Sequence, residues 1–538
     1  RRHLHLGNSV HHPGPCGDQS HHVMGGMHAY TTPYLTALTT YFSYAVLILF
    51  GHTRDFYRRA LALIMGRAFL APSSDASKTS DSLGSLANER AGAVGRSGVQ
   101  CGDMAPMLEE GDDFYTRRMF ARIQDCFSRP INSAPDARFN VMEREEDKDN
   151  KWSLKSTGRS RPCLNLGSYN YLGFAASDPY CTPRSLEASR RYGWAQCSST
   201  VEAGTSPVLA ALESRVARYV SKESAIVYGM GFATNSSTIP VLMGKGSLII
   251  SDSLNHRSIV SGVRLSGARV KVFRHNDATH LEKVLRAAIS EGQPRTREPW
   301  KKILVIVEGI YSMEGHMCNL REIVEIKKKY GAYLFLDEAH SIGAMGASGR
   351  GVCEHLGIDT ADVDIMMGTF TKSFGSCGGY IASNHDVIAH IKRHSPSTLY
   401  AASMSAPAAM QALSALEILM GDDDSRGERG QAKIAQLHDN ANYFREQLKS
   451  MGCQILGDED SPIMPLMLYN PSKIAAFSRE CFKRGVAVVV VGFPATDLVG
   501  SRARFCLSAA HSRADLDEAL EVVREVSSRC AVRYELKK

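Results

Sequence analysis

Asp337-Glu338-Ala339-His340 directly follows an apolar run, Ala332 to Leu336, that reads as a strand. In open α/β sheets, ligand-binding groups gather at the carboxyl ends of strands, so an acid and an imidazole placed there face a cleft. Asp also caps helices, and this tetrapeptide alone leaves the two roles evenly balanced. Lys372 has the same setting, because Ile365-Met366-Met367 reads as a strand and Gly368-Thr369-Phe370-Thr371-Lys372-Ser373-Phe374-Gly375 follows it. A lone lysine is usually a surface residue. Amid hydroxyls and glycines past a strand end, it suits a phosphate contact or a Schiff base. A nucleotide-binding G-x-x-x-x-G-K loop is excluded, since Thr371 stands where that motif needs glycine.

Two upstream segments complete a set. Tyr228-Gly229-Met230-Gly231-Phe232-Ala233-Thr234-Asn235 offers a Gly-rich turn into a helix, whose free amides suit a phosphate. Asp252-Ser253-Leu254-Asn255-His256 follows another strand and supplies an imidazole that can stack on a flat ring. Each is weak alone. With Asp337, His340 and Lys372 they make the parts of a pyridoxal-phosphate site: phosphate cup, stacking group, carboxylate for a pyridinium nitrogen, and lysine.

The elements that must position these groups alternate along the chain. Short apolar runs at Ala225 to Tyr228, Ser247 to Ile250, Lys271 to Phe273, Ile303 to Val307, Ala332 to Leu336, Ile365 to Met367 and Tyr380 to Ile381 are separated by helical patterns. This predicts an α/β domain on a largely parallel sheet, spanning about 166–400. After Tyr400 the pattern becomes helices (Ala406 to Met420, Gln431 to Met451) and then strands (Met464 to Leu468, Val486 to Val491, Arg504 to Leu507), predicting a smaller α+β domain over 401–538. Ahead of the core, residues 111–165 read as an arm, with a helix over Asp113 to Phe127. Residues 71–110, rich in Ser, Gly, Ala and Asp, read as a linker. Residues 1–33 read as a disordered leader holding seven of the 19 histidines.

Between these lies Tyr34 to Phe50, mostly apolar and aromatic, in a stretch from Gln19 to Thr53 without Asp, Glu, Lys or Arg. Its 17 residues only just span a hydrocarbon core of about 30 Å, so a membrane-associated helix over 34–70, crossing or lying on the bilayer, is expected. Arg54, Arg58, Arg59 and Arg67 follow and would keep the downstream side cytosolic. The net charge of +7 comes without a dense basic stripe, which leaves nucleic acid unimplied. Thirteen cysteines without a C-x-x-C pair read as reduced thiols rather than a zinc site, so no metal is expected.

GTFTKSFG, LFLDEAHSIGAMG, VEGIYSMEG, NLGSYNYLGF and RARFCLSAAH together resemble the α-oxoamine synthases, nearest to the catalytic, long-chain-base subunits of eukaryotic serine palmitoyltransferases. The resemblance runs from about Tyr34 to the C-terminus. It implies an aminotransferase fold of type I and a pyridoxal-phosphate-dependent acyltransferase that condenses L-serine with palmitoyl-CoA to 3-oxosphinganine, the first step of sphingolipid synthesis. Lys372 would carry the cofactor and the serine Cα proton, Asp337 would pair with the pyridinium nitrogen, His340 would bond the ring O3′, and His256 would stack on the ring. Thr369, Gly231 and Phe232 would hold the phosphate, Ser312 would line the pocket, and Ser403 would reach a partner's phosphate. Arg504 would bind the amino-acid carboxylate, with Arg502 as its substitute and Tyr171 beside it. The family also implies a homodimer, or a heterodimer with a lysine-lacking paralogue, at the endoplasmic reticulum membrane with the catalytic domain facing the cytosol. A non-catalytic scaffold, or a glycine-using synthase, are the competing readings. Four departures bear on substrate positioning and subunit contact: Thr200 where the family has Arg, Leu209 where it has His, Ala402 where it often has Thr, and Asp497 in its P-A-T-P loop.

Overall fold

The computed structural model describes residues 32–64, 120–147, 153–493 and 495–535. The His-rich leader, the 71–110 linker, the start of the Asp113 to Phe127 helix and Pro494 lie outside the described residues.

Seven strands form the central sheet: β3 (Ser224–Tyr228), β4 (Leu248–Asp252), β5 (Arg269–Phe273), β6 (Ile303–Glu308), β7 (Tyr333–Asp337), β8 (Ile365–Thr369) and β9 (Gly379–Ser383). Their order is β3-β9-β8-β7-β6-β4-β5. The β5-β4-β6-β7-β8 stretch is parallel, and β9 runs antiparallel to both its neighbours. β6, β7 and β8 are buried almost throughout because helices cover both faces, which is why they read as unbroken apolar runs. Each expected strand is present; β3, β5, β6, β8 and β9 are extended by one to three residues, while β4 and β7 begin one residue later and end two residues and one residue later than expected. Parallel pairing then aligns the carboxyl ends: Glu308 lies opposite Asp337, and Asp337 opposite Met367.

The C-terminal unit carries helices Ala406–Met420 and Glu428–Ser450 and an antiparallel sheet, β10 (Ile463–Tyr469), β13 (Ser501–Cys506) and β12 (Val489–Val491). The expected strand Val486 to Val491 is in fact two. Val486–Ala487 (β11) pairs with Leu164 and Asn165 of the arm, and Val489–Val491 with β13. The arm itself departs from expectation. Its described part opens with two short 3-10 turns, Phe120–Arg122 and Gln124–Cys126, in place of a continuous helix. It continues as an antiparallel hairpin, β1 (Arg138–Glu146) and β2 (Leu154–Asn165). About half of this hairpin is exposed and eight of its 21 residues are charged, so the apolar alternation that marks a strand in sequence is confined to Phe139 and Val141.

The N-terminal helix, Tyr34–Ile64, contains a 24-residue stretch, Tyr34–Tyr57, long and apolar enough to cross a membrane. It rests one face on the C-terminal unit: Thr40, Tyr44 and Gly51 are buried, and Asn470 Nδ2 donates to Ser43 Oγ at 2.9 Å. Leu35, Leu38, Phe42, Leu49 and Phe50 on other faces are exposed.

Candidate active site

The ends of β4, β6, β7 and β8 bring the sequence-expected residues to one side of the sheet. Asp337, the last residue of β7, is 3% exposed and accepts one hydrogen bond at each carboxylate oxygen, which leaves lone pairs to spare. Asn235 Nδ2 donates to its Oδ2 at 2.7 Å, and the Ala339 N–H donates to its Oδ1 at 2.9 Å. Asn235 lies one turn into helix Gly231–Leu242, and its Nδ2 also reaches Ser258 Oγ at 3.0 Å. Ser258 in turn holds His256: the Ser258 N–H donates to Nδ1, and the Ser258 hydroxyl lies 2.8 Å from it. With Nδ1 so occupied as an acceptor, the proton of a neutral His256 sits on Nε2. Burial and the nearby Lys372 outweigh Asp337 and keep the ring below the usual histidine range. Despite the surrounding protein, His256 keeps exposed surface on which a flat ring could stack.

Glu338, the neighbour of Asp337, points the other way. It receives the Ser341 hydroxyl and the Val352 N–H at 3.1 Å, and a Cβ at Gly351 (φ 89°) would come within 2.5 Å of its Oε2. The Asp-Glu-Ala-His string therefore serves site and loop with alternate residues.

His340 is buried, with Nδ1 2.8 Å from the Tyr171 hydroxyl and its ring edge-on to Tyr169 at 5.1 Å. Burial, Lys372, Arg504 and His256 all hold it well below the ordinary histidine pKa, so it is neutral. Lys372 follows β8, half-buried, with its Nζ 5.6 Å from the Tyr169 ring centre. Burial lowers its amine to about 8 against the opposing pull of Asp337 and Glu308.

The start of helix Gly231–Leu242 lies against Thr369 and makes a candidate phosphate cup. Helix Gly231–Leu242 makes its first backbone bond from the Thr234 N–H to Met230 O, so the Gly231, Phe232 and Ala233 amides precede the ladder at the positive end of the helix dipole. Thr369 Oγ1 donates to Gly378 O at 2.9 Å and lies 2.8 Å from Thr371 Oγ1. A Cβ at Gly231 would come 3.0 Å from Thr369 Oγ1, so glycine keeps the cup open. Ser403 lies in a loop bridged to Ser199, and its Oγ is buried without a partner among the described residues.

Arg502 and Arg504 project from the same face of β13 but differ in what they have left to give. Arg502 spends its donors on Gly500 O, Met313 O and Glu314 Oε1. Arg504 donates to Ser312 O (3.3 Å) and the Met313 sulfur, stacks 4.7 Å from the Tyr169 ring centre, and leaves Nε buried without a hydrogen-bond partner among the described residues. Ser312 thus reaches the site through its carbonyl. Tyr171 is wholly buried behind His340.

Sequence reasoning passed over Tyr169, Asn235, Ser258 and Glu308. Tyr169 had a signal in the NLGSYNYLGF segment, and Asn235 stood four residues past Gly231 on the same helix face. Glu308 closes β6, is buried, accepts the His256 N–H, and is pushed well above the carboxylate range by burial and by Asp337.

The model of class I and II aminotransferases matches residues 161–523, two thirds of the chain. Long chain base biosynthesis protein 2a of Arabidopsis thaliana is 55% identical over 94% of this chain and 96% of its own. The chain belongs to the class I and II aminotransferases, in their serine palmitoyltransferase branch. Serine palmitoyltransferase 2 of Dictyostelium discoideum, another member of this branch, is 51% identical over 80% of this chain and 87% of its own. Among solved structures, a serine palmitoyltransferase with pyridoxal phosphate as internal aldimine superposes with a TM-score of 0.68 at 27% identity, covering 79% of this chain and 98% of that one. The Sphingomonas wittichii serine palmitoyltransferase gives 0.69 at 29% identity, over 80% and 100%. The branch shares the mixed, mostly parallel sheet described above.

Proposed function

We propose that this chain is the catalytic subunit of a serine palmitoyltransferase, a pyridoxal-phosphate-dependent acyltransferase joining L-serine to palmitoyl-CoA with release of CoA and carbon dioxide. The carrying observation is Lys372 itself, an amine held down to about 8 between Asp337, His340 and the phosphate cup. A scaffold subunit has no use for such a lysine.

The residues fit the cofactor on local grounds. The cup is held open by Gly231, and Asn235 Oδ1, Ser403 Oγ and Arg504 Nε are buried polar atoms with no partner among the described residues. Such atoms are costly unless a ligand or water satisfies them. Gly231, Phe232 and Thr369 would take the phosphate, His256 one ring face, Asp337 the ring nitrogen, and His340 the ring oxygen. Bound there, pyridoxal phosphate supplies the electron sink that lets a proton and later a carboxyl group leave the amino acid's Cα. Lys372, a weak enough base to exist partly neutral near pH 7, removes the Cα proton and returns one. Arg504 takes the serine carboxylate with its unspent donors, held flat by Tyr169.

Purified protein with pyridoxal phosphate, L-serine and palmitoyl-CoA is expected to release CoA and a long-chain 3-oxo base. No turnover with serine, or faster turnover with glycine, would overturn the assignment. The assay is run on the chain alone and with a lysine-lacking paralogue. Turnover alone identifies a homodimer, and turnover only with the paralogue a heterodimer. A second subunit is supported by exposed apolar residues around the cup: Met230, Phe232, Val201 and Tyr400, the last 82% exposed.

The same reading places the chain at the endoplasmic reticulum membrane, cytosolic side. The exposed apolar faces of Tyr34–Ile64 support membrane attachment, and free cysteines throughout the described residues support a reducing compartment. Leu38→Glu with Phe42→Glu is expected to move the protein out of the floating fraction in a vesicle flotation assay. Unchanged flotation would place the attachment elsewhere.

A further inference from the structure

We propose that Tyr171 is a positioning residue that fixes the tautomer of His340, making its Nε2–H a permanent hydrogen-bond donor toward the bound cofactor. The proposal rests on the cofactor assignment above and deepens it.

A neutral imidazole can carry its proton on either nitrogen, and only one choice leaves a donor where the cofactor's ring oxygen needs one. Tyr171 is 0% exposed, and among the described residues its hydroxyl meets no acceptor other than His340 Nδ1, 2.8 Å away. A buried hydroxyl hydrogen left unpaired is expensive, so it goes to Nδ1. Nδ1 then accepts, and the His340 proton must sit on Nε2. The phenol keeps that hydrogen, because burial raises it well above its ordinary pKa.

The phenol is also unable to swing away. The Tyr171 N–H donates to Tyr169 O at 2.9 Å, and its carbonyl accepts the Ala509 N–H at 2.7 Å. Next to it, Asn170 O takes the Ser508 hydroxyl at 2.6 Å, and Asn170 Nδ2 donates to Pro135 O at 3.0 Å. The arm and the C-terminal unit thus hold the segment that aims a hydroxyl at a histidine of the large domain. Tyr169, two residues back, packs on the same ring and on Arg504. One short segment therefore orients both the ring-oxygen donor and the carboxylate-binding arginine.

The test uses the full chain without cofactor, its histidines nitrogen-labelled, with the His340 signals identified by their loss in His340→Asn. Wild type is expected to show His340 protonated at Nε2 and bare at Nδ1, a readout that needs no variant to fold. Tyr171→Phe keeps the ring and removes the hydrogen. It is expected to give mixed His340 tautomers, to weaken pyridoxal phosphate binding to the apoenzyme by about 10-fold, and to lower kcat with the KM for serine unchanged. In a His340→Asn background, Tyr171→Phe is expected to add nothing further. Wild-type His340 protonated at Nδ1, or an equal Tyr171→Phe effect with and without His340, overturns the proposal. Failure of the cofactor assignment looks different, since wild type would then show no Lys372-dependent visible absorbance with pyridoxal phosphate at all.

Discussion

Lys372→Ala is expected to lower turnover by roughly four orders of magnitude, at the upper end of what a positioned acid–base group contributes, and to abolish the visible absorbance of protein mixed with pyridoxal phosphate. Both losses come from one amine, because it attaches the cofactor and carries the Cα proton. The chemistry depends on that amine being neutral part of the time. Burial disfavours the ammonium and lowers its pKa to about 8, while Asp337 and Glu308 keep it from falling further. Since only the neutral form attacks an aldehyde, covalent capture of the cofactor by the apoenzyme should speed up with rising pH and level off above a midpoint near 8. An ordinary exposed lysine would give a midpoint near 10.4. Stopped-flow absorbance across pH values checks this. A midpoint at the ordinary lysine value, or residual turnover in the variant near that of wild type, would remove Lys372 from its place in the reaction.

Asp337→Asn has the second largest expected effect, a fall in kcat/KM of about 10²–10³-fold, the scale of losing one preorganised electrostatic contact. The isostere fails for two reasons. It removes the negative charge beside the cofactor's ring nitrogen. It also cannot satisfy its neighbours, because Asn235 Nδ2 and the Ala339 N–H both donate to Asp337 and an amide offers one acceptor atom, not two. Flipping Asn235 to compensate would draw the Ser258 hydroxyl away from His256 Nδ1, so the damage spreads to the stacking histidine. Leaving one buried donor unpaired costs about 1–3 kcal/mol, which should appear as a lowered Tm of the apoenzyme. A variant with unaltered Tm and kcat/KM within about 10-fold of wild type would show that neither charge nor acceptor count matters there.

The sheet was legible from the chain alone because strands buried on both faces must be apolar along nearly their whole length, as β6, β7 and β8 are, while the edge strand β5 mixes Arg269 and Lys271 with its apolar residues. Chemistry at strand ends was legible for the same reason: polar residues such as Asp337, His340 and Lys372 directly after such runs have no place in a core. The β1–β2 hairpin was hidden because its exposed side is charged and polar, its apolar side is only Phe139, Val141 and Cys163, and the end of β2 pairs with β11, more than 300 residues later.

What the chain determined by itself was the list of reacting groups and the strands that end at them. What tertiary structure decided was their state and division of labour. Arg502 and Arg504 share one strand face, and the contacts of Arg502 with Gly500 O, Met313 O and Glu314 separate the engaged arginine from the available one. Tyr171 stands 169 positions from His340 in sequence and meets it through a single hydrogen bond. The lowered Lys372 amine follows from burial, which outweighs the opposing pull of carboxyls on two other strands. Desolvation and hydrogen-bond direction depend on neighbours that only the fold supplies, so residue type and spacing could name these groups without setting their charge or aim.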